Sequence, residues 1–170
     1  GLQRLIIDLL ELSRLQNADF LLNMGSVDVR ELLGDVAMSA GALCRRKGVR
    51  FDCREPGNAL QIVGDYARLR QMLLVVLDNA VKFTPEGKRV SLVLEGKTIV
   101  IADEGIGIPA EELAHIFDRF RRTRRSNEQG TGLGLAICSE VARRHGIAID
   151  VASRVGEGTT FRFTFPDGGS

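Results

Sequence analysis

Apolar side chains recur along this chain at two spacings, and the points where one spacing gives way to the other divide it into elements. Leu2, Leu5, Leu9 and Leu12 follow a 3-4-3 spacing, widened by Ile6 and Leu10, which predicts a helix over residues 1–16. A lone helix cannot bury such a stripe, so this one reads as part of a bundle or coiled coil. The periodicity stops over Asn17–Gly25, a linker. Val27–Val29 fits a short strand, and Asp28 or a neighbour is placed to cap a helix over Val29–Lys47. Strands over Val49–Cys53 and Leu60–Val63 flank the turn Glu55-Pro56-Gly57-Asn58. Asp65 suits the N-cap of a helix to about Phe83, with Leu69, Met72, Leu73, Val76, Leu77 and Ala80 at core spacing. Thr84-Pro85-Glu86-Gly87 stops it.

The second half changes period repeatedly. Val90–Leu94 and Thr98–Ala102 form a hairpin around Glu95-Gly96-Lys97. The loop Asp103–Pro109 leads to a short helix ending at His115. Arg121–Gln129 is polar and has no apolar period, which predicts a mobile loop. A helix from about Gly132 to His145 follows, then strands over Ala148–Ser153 and Thr159–Phe165. The sum is an α/β two-layer sandwich, a mixed sheet with helices packed on one face, plus the short N-terminal helix. The divisions are 1–16, the linker 17–25, one domain over 26–166 and a tail over 167–170.

Composition changes this picture little. The chain has 170 residues, enough for one ordinary core, with 44% hydrophobic and 26% charged residues and a net charge of +1. That charge implies no global attraction to nucleic acid or to an anionic membrane. Five arginines lie between Arg119 and Arg125 with a single aromatic, Phe120, among them, and beside the near-neutral net charge this argues against a nucleic-acid surface. Cys44, Cys53 and Cys138 have no metal-ligand spacing and read as buried reduced thiols, which suits a reducing cytoplasm. The longest apolar runs, such as Met72–Leu77, are too short to cross a bilayer, and no signal-peptide pattern opens the sequence.

The 19 glycines against four prolines do change it, because many of them cluster. Asp103-Glu104-Gly105-Ile106-Gly107-Ile108-Pro109 follows a strand directly. A carboxylate at a strand end can accept the exocyclic amine of adenine, and glycines let backbone pass close to a ring and its phosphates. Gly130-Thr131-Gly132-Leu133-Gly134-Leu135 opens a helix, whose first N–H groups make an anion site. Asn79, Lys82 and Phe83 share one face of the helix before them, offering an amide oxygen, a cation and a ring. Mg²⁺ takes oxygen ligands and keeps several waters, so one Asn with phosphate oxygens makes a reasonable shell. Neither a G-x-x-x-x-G-K-[ST] loop nor a G-x-G-x-x-G after a strand is present. His115 and His145 stand alone near helix ends, where capping or surface roles are the ordinary reading.

Taken in order, these segments resemble the catalytic and ATP-binding domain of bacterial sensor histidine kinases, in the superfamily with gyrase, Hsp90 and MutL. Asp65–Pro85 resembles the N box, Asp103–Ile108 the G1 box and Ile116-Phe117-Asp118-Arg119-Phe120-Arg121-Arg122 the F box. Gly130–Ile137 resembles the G2 box, and Gly156-Glu157-Gly158-Thr159-Thr160-Phe161 the closing strand motif. The resemblance implies a Bergerat fold binding ATP and Mg²⁺. It implies Asn79 as the metal ligand, Lys82 as a phosphate contact, Phe83 beside adenine, and Asp103 as the adenine-reading carboxylate supported through water by Thr159. Gly105, Gly107 and Ile108 line the base, Phe120 belongs to the F box, and Arg122 reaches the γ-phosphate. Gly130, Thr131, Gly132, Leu133, Gly134 and Leu135 anchor the lid Arg121–Gln129.

Two departures shape the expectation. Many members carry a second Asn four residues before the metal ligand, and hydrolytic ATPases carry a Glu there; here the position is Val75, which cannot serve as a base. The family's phosphoacceptor is a His followed by Glu or Asp, and neither His115-Ile116 nor His145-Gly146 fits. The resemblance therefore implies a protein-histidine kinase fragment with no general base of its own. It would deliver the ATP γ-phosphoryl to a histidine on a dimerisation and phosphotransfer domain, whose last helix Leu2–Leu15 would continue. The implied partners are that domain of the same protein, a homodimeric parent and a response regulator in two-component signalling. The implied location is cytoplasmic, including for a parent anchored in the inner membrane.

Overall fold

The computed structural model describes residues 2–55, 59–118 and 132–167. Among the described residues five helices and seven strands run in the order α1 (Leu2–Gln16), β1 (Gly25–Asp28), α2 (Val29–Lys47), β2 (Arg50–Arg54), β3 (Gln61–Gly64), α3 (Tyr66–Lys82), β4 (Arg89–Glu95), β5 (Thr98–Asp103), α4 (Ala110–Leu113), α5 (Gly134–His145), β6 (Ala148–Arg154) and β7 (Gly158–Thr164). Five strands form one mixed sheet in the order β2-β4-β5-β7-β6, with β2 parallel to β4 and the other neighbours antiparallel. β1 and β3 pair antiparallel in a separate two-stranded ladder. That separation refines the single mixed sheet expected from the pattern: Val27 meets Ile62 across the ladder, a pairing that bridges the whole of α2.

The α/β sandwich is otherwise as expected, with α2, α3 and α5 layered on one face of the sheet. Period-two burial on β4 (Val90, Leu92, Leu94) and β7 (Thr159, Phe161, Phe163) faces the helices. The stripe Leu69, Met72, Leu73, Val76, Leu77 and Ala80 of α3 is buried to a residue. Asp28 caps α2 through bonds from the Arg30 and Glu31 amides, and Asp65 caps α3 through the Arg68 amide. Among the described residues, no helix is long and apolar enough to cross a membrane.

The N-terminal helix docks rather than projecting freely. Leu12 and Leu15 are fully buried, and α1 packs on α5. The Arg144 guanidinium of α5 donates to the carbonyls of Leu15 at 3.1 Å and Asn17 at 3.3 Å, and to that of Phe20. Glu11 pairs with Arg68 of α3 at 3.1 Å. A cation at a helix C-terminus meets carbonyls that lack intrahelical partners and opposes the helix dipole. Arg144→Ala is therefore expected to lower stability by about 2 kcal/mol, the contribution of charge-assisted hydrogen bonds. Amide exchange should speed up over residues 12–24 while the central sheet keeps its protection. Unchanged exchange there would show that Leu12 and Leu15 hold the helix without the arginine.

Candidate functional site

Three segments converge around the end of α3. Asn79 and Lys82 occupy its last turn and Phe83 is its C-cap residue. Asn79 is half-buried, and among the described residues no protein group hydrogen-bonds its carboxamide. Lys82 is exposed and its ammonium lies 3.1 Å from Asp78, one turn back. Thr84 closes the turn by donating its hydroxyl to the Ala80 carbonyl at 2.6 Å.

The second segment is the loop after β5. Asp103 ends that strand 8% exposed, opposite Thr159 in the ladder with β7. Its Oδ1 accepts the amides of Gly105 at 2.8 Å and Thr159 at 3.2 Å. The carboxylate therefore shapes its own loop and is fixed by it. The Phe83 carbonyl accepts the Ile106 amide at 3.2 Å, so the turn bearing Asn79 and the loop bearing Asp103 are one hydrogen-bonded piece. Gly107 has φ +78°, and a Cβ there would lie 2.1 Å from the Arg154 carbonyl oxygen. Ile108 is buried beside it.

Ser153 was not singled out by the sequence, and it holds this loop from beneath. Its Oγ accepts the Ile108 amide at 2.8 Å, donates to the Gly158 carbonyl at 3.0 Å and sits 2.7 Å from Thr159 Oγ1. With Thr159 donating, the serine hydroxyl uses its one proton and both lone pairs. Thr159 was expected to support Asp103 through water; here its amide bonds Asp103 directly and its hydroxyl lies against the serine. No local pattern marks Ser153, because its partners Ile108 and Gly158 meet it only when β6 and β7 are paired.

The third segment is the start of α5. Leu133 is the N-cap residue and supplies no side-chain cap, leaving the first turn to other groups. A Cβ on Gly134 would lie 3.3 Å from Val75 Cγ1, so the position of the missing second Asn or catalytic Glu packs against the G2 helix. Gly134 thus stands beside α3, with Leu133 fully buried ahead of it. Phe120, Arg122, Gly130, Thr131 and the lid Arg121–Gln129 lie outside the described residues. The F box is anchored ahead of them by buried Ile116 and by Phe117, whose ring meets Phe161 edge-on at a centroid distance of 6.3 Å.

Neither histidine is presented as a nucleophile or acceptor. His145 engages the Val141 carbonyl through Nδ1 at 2.8 Å and accepts the Asp65 amide on Nε2 at 3.0 Å. It acts as a backbone partner at the cap of α3, which is the capping role expected of it. His115 lies exposed, 3.1 Å from Asp118. The three cysteines are free thiols; Cys44 and Cys138 are buried as expected, whereas Cys53 on β2 is only half-buried, and desolvation raises the pKa of each, most strongly for Cys138. Among the described residues no cluster of three or more His, Cys, Asp or Glu could hold a metal. Among the described residues no protein group engages the Asn79 amide oxygen, a hard donor of the kind that suits a cation completing its shell from phosphate and water.

A family model described as histidine kinase-, DNA gyrase B- and HSP90-like ATPase matches residues 64–169. The adaptive-response sensory kinase SasA of Synechococcus elongatus is 34% identical over 171 residues, covering 97% of this chain and 44% of SasA. The sensor histidine kinase WalK of Bacillus subtilis is 33% identical over 172 residues, covering 96% of this chain and 28% of WalK. The chain thus spans less than half the length of these relatives. Full-length ShkA in complex with AMPPNP superposes with a TM-score of 0.83 at 34% identity, over 97% of this chain and 35% of ShkA. The mycobacterial sensor histidine kinase MprB matches with a TM-score of 0.73 at 32% identity, over 84% of this chain and 97% of that structure.

Proposed function

From its membership of the histidine kinase-, DNA gyrase B- and HSP90-like ATPase family, to which this chain belongs, we propose that it binds ATP with Mg²⁺ and donates the γ-phosphoryl to a histidine on a dimerisation domain. The observation that carries the reading is the bond between the Phe83 carbonyl and the Ile106 amide. It ties the turn of Asn79 to the loop of Asp103, the two places where a metal-bound phosphate chain and an adenine ring would be held. Mg²⁺ would be held by Asn79 and would neutralise phosphate charge there. Asp103 accepts the adenine amine, Phe83 lies against the ring and Lys82 exchanges Asp78 for phosphate. The α5 N-terminus with Gly132–Leu135 receives the phosphates, and Arg122 contacts the γ-phosphate.

Phosphoryl transfer needs positioning and charge stabilisation more than covalent help from the protein. The γ-phosphorus–oxygen bond to ADP breaks as a bond forms to an imidazole nitrogen of the acceptor, and ADP leaves. No residue of this chain serves as general base, and Val75 at the position of a hydrolytic Glu favours donation over hydrolysis. Residues 1–16 would continue the dimerisation domain's second helix, 17–25 the linker, 26–166 the catalytic domain and 167–170 a tail. A response regulator would then take the phosphoryl onto an aspartate.

The test supplies a separate dimerisation domain carrying its histidine, with γ-labelled ATP. Label on that histidine supports the kinase reading; steady phosphate release supports an ATPase, and neither supports a binding module alone. Asn79→Ala should weaken ATP binding about tenfold in Mg²⁺, a loss of about 1.4 kcal/mol, and remove the difference between Mg²⁺ and EDTA. A retained Mg²⁺ dependence in titration calorimetry would sink the metal assignment.

A further inference from the structure

A helix end is where backbone carbonyls lose their intrahelical partners, and the end of α3 is also where Asn79, Lys82 and Phe83 stand. The carbonyls of residues 79–83 are all met. Asn79 O accepts the Phe83 amide at 3.2 Å, and Ala80 O accepts the Thr84 hydroxyl at 2.6 Å. Val81 O accepts the Thr84 amide at 3.4 Å and Lys47 Nζ at 2.8 Å. Lys82 O accepts Lys47 Nζ, and Phe83 O accepts the Ile106 amide. Lys47 is the donor in this set that comes from α2.

Its backbone is held for the purpose. Lys47 is the last residue of α2, and Gly48 caps that helix in the left-handed region at φ 78°. The Gly87 amide donates to the Gly48 carbonyl at 2.8 Å and the Arg50 amide to the Lys88 carbonyl at 2.8 Å. Two chain segments about 35 residues apart are stitched at this corner, as the separations of the lysine bonds record. An ammonium placed on these carbonyls also meets the negative end of the α3 dipole.

We infer that Lys47 is a positioning residue for nucleotide binding, its ammonium holding the 81–83 turn in the arrangement that presents Asn79 and Phe83 and offers the Phe83 carbonyl to Ile106. The inference rests on the nucleotide-site reading above and assigns no contact between Lys47 and ATP. Lys47→Met keeps the aliphatic stem and removes the donor. The Lys82 carbonyl then loses its bond, the turn loosens, and the Ile106 amide opens with it.

The experiment titrates Mg·ATP into the 170-residue chain and follows amide exchange in the nucleotide-free state. Lys47→Met is expected to weaken ATP binding about tenfold and to speed exchange of the Ile106 amide, with the β4–β5 amides unchanged. Lys47→Arg, which keeps a cationic donor able to reach both carbonyls, should restore both readouts. Wild-type affinity in Lys47→Met overturns the assignment. Weakened affinity with unchanged Ile106 exchange also overturns it, because the lysine would then act on the nucleotide directly. Should Lys47→Met fail to fold, Lys47→Leu, which also removes the donor, carries the same comparison. Asp103→Ala in the same titration separates the two claims: normal ATP binding there defeats the site reading itself, whereas its loss beside an unaffected Lys47→Met defeats only the role of the lysine.

Discussion

Asp103→Ala is expected to weaken ATP binding by about 100-fold and to erase the preference for adenine over guanine nucleotides. The carboxylate is nearly buried at the end of β5, with Oδ1 holding the Gly105 and Thr159 amides. Alanine removes the acceptor proposed for the base and strands two N–H groups that shape the loop. Hydrogen bonds with a charged partner contribute about 1.5–3 kcal/mol each, and about 2.7 kcal/mol is 100-fold in affinity. Asp103→Asn separates recognition from loop shape. Its carbonyl can keep the two amides, while its NH₂ would face the adenine amine, donor against donor, and would suit the carbonyl oxygen of guanine. Competition binding of ATP and GTP should therefore show loss of preference in the alanine variant and a shift toward GTP in the asparagine variant. An unchanged preference in both would remove Asp103 from base recognition.

The second large effect is structural. Gly158→Ala should lower stability by at least about 3 kcal/mol, from backbone strain together with overpacking. Gly158 has φ +128°, and a Cβ there would lie 2.0 Å from the Asp103 carbonyl oxygen. That carbonyl belongs to the strand beside it, so no side-chain rotation relieves the clash and β5 must part from β7. The separation would carry Thr159 away from Asp103 Oδ1, so ATP binding should fail in molecules that remain folded. Gly96→Ala, in the open β4–β5 turn with nothing within 4 Å of its Cβ, should cost only about 1 kcal/mol, the strain of a left-handed residue. Denaturant unfolding of the two variants side by side decides the matter. Equal midpoints would mean that the β5–β7 approach yields more readily than its distances imply.

Elements whose cause is local could be read before the structure. The α3 stripe, its Asp65 cap and its stop at Thr84-Pro85 depend on side chains within a few positions of one another, and each stands where expected. The same holds for the Val29–Lys47 helix with its Asp28 cap and for the β4–β5 hairpin. Strand ends shifted by a residue or two: β2 runs Arg50–Arg54 against the expected Val49–Cys53. Its last pairings are set by the partner β4, which its own alternation does not reveal. The withdrawal of β1 and β3 into their own ladder was invisible for a similar reason, since short runs of alternating residues fit either sheet.

The candidate site divides along the same line. Asn79, Asp103 and the glycines of both loops were legible as chemistry, because a carboxylate at a strand end and glycines at a helix start have local meaning. Ser153 and Lys47 were not, because Ser153 meets the Ile108 amide across 45 residues and Lys47 its carbonyls across 34 and 35, contacts made only after the sheet and helices close. Such contacts extend further still, His145 reaching the Asp65 amide across 80 residues and Arg144 the Leu15 carbonyl across 129. By itself the sequence determined which segments become helix or strand and which residue types are candidates for nucleotide chemistry, since propensity, capping and apolar period act within a turn or two. Only the tertiary structure decided how the α3 turn, the Asp103 loop and the Ser153–Thr159 pair are joined, because backbone groups must find partners and those partners come from wherever packing brings the chain together.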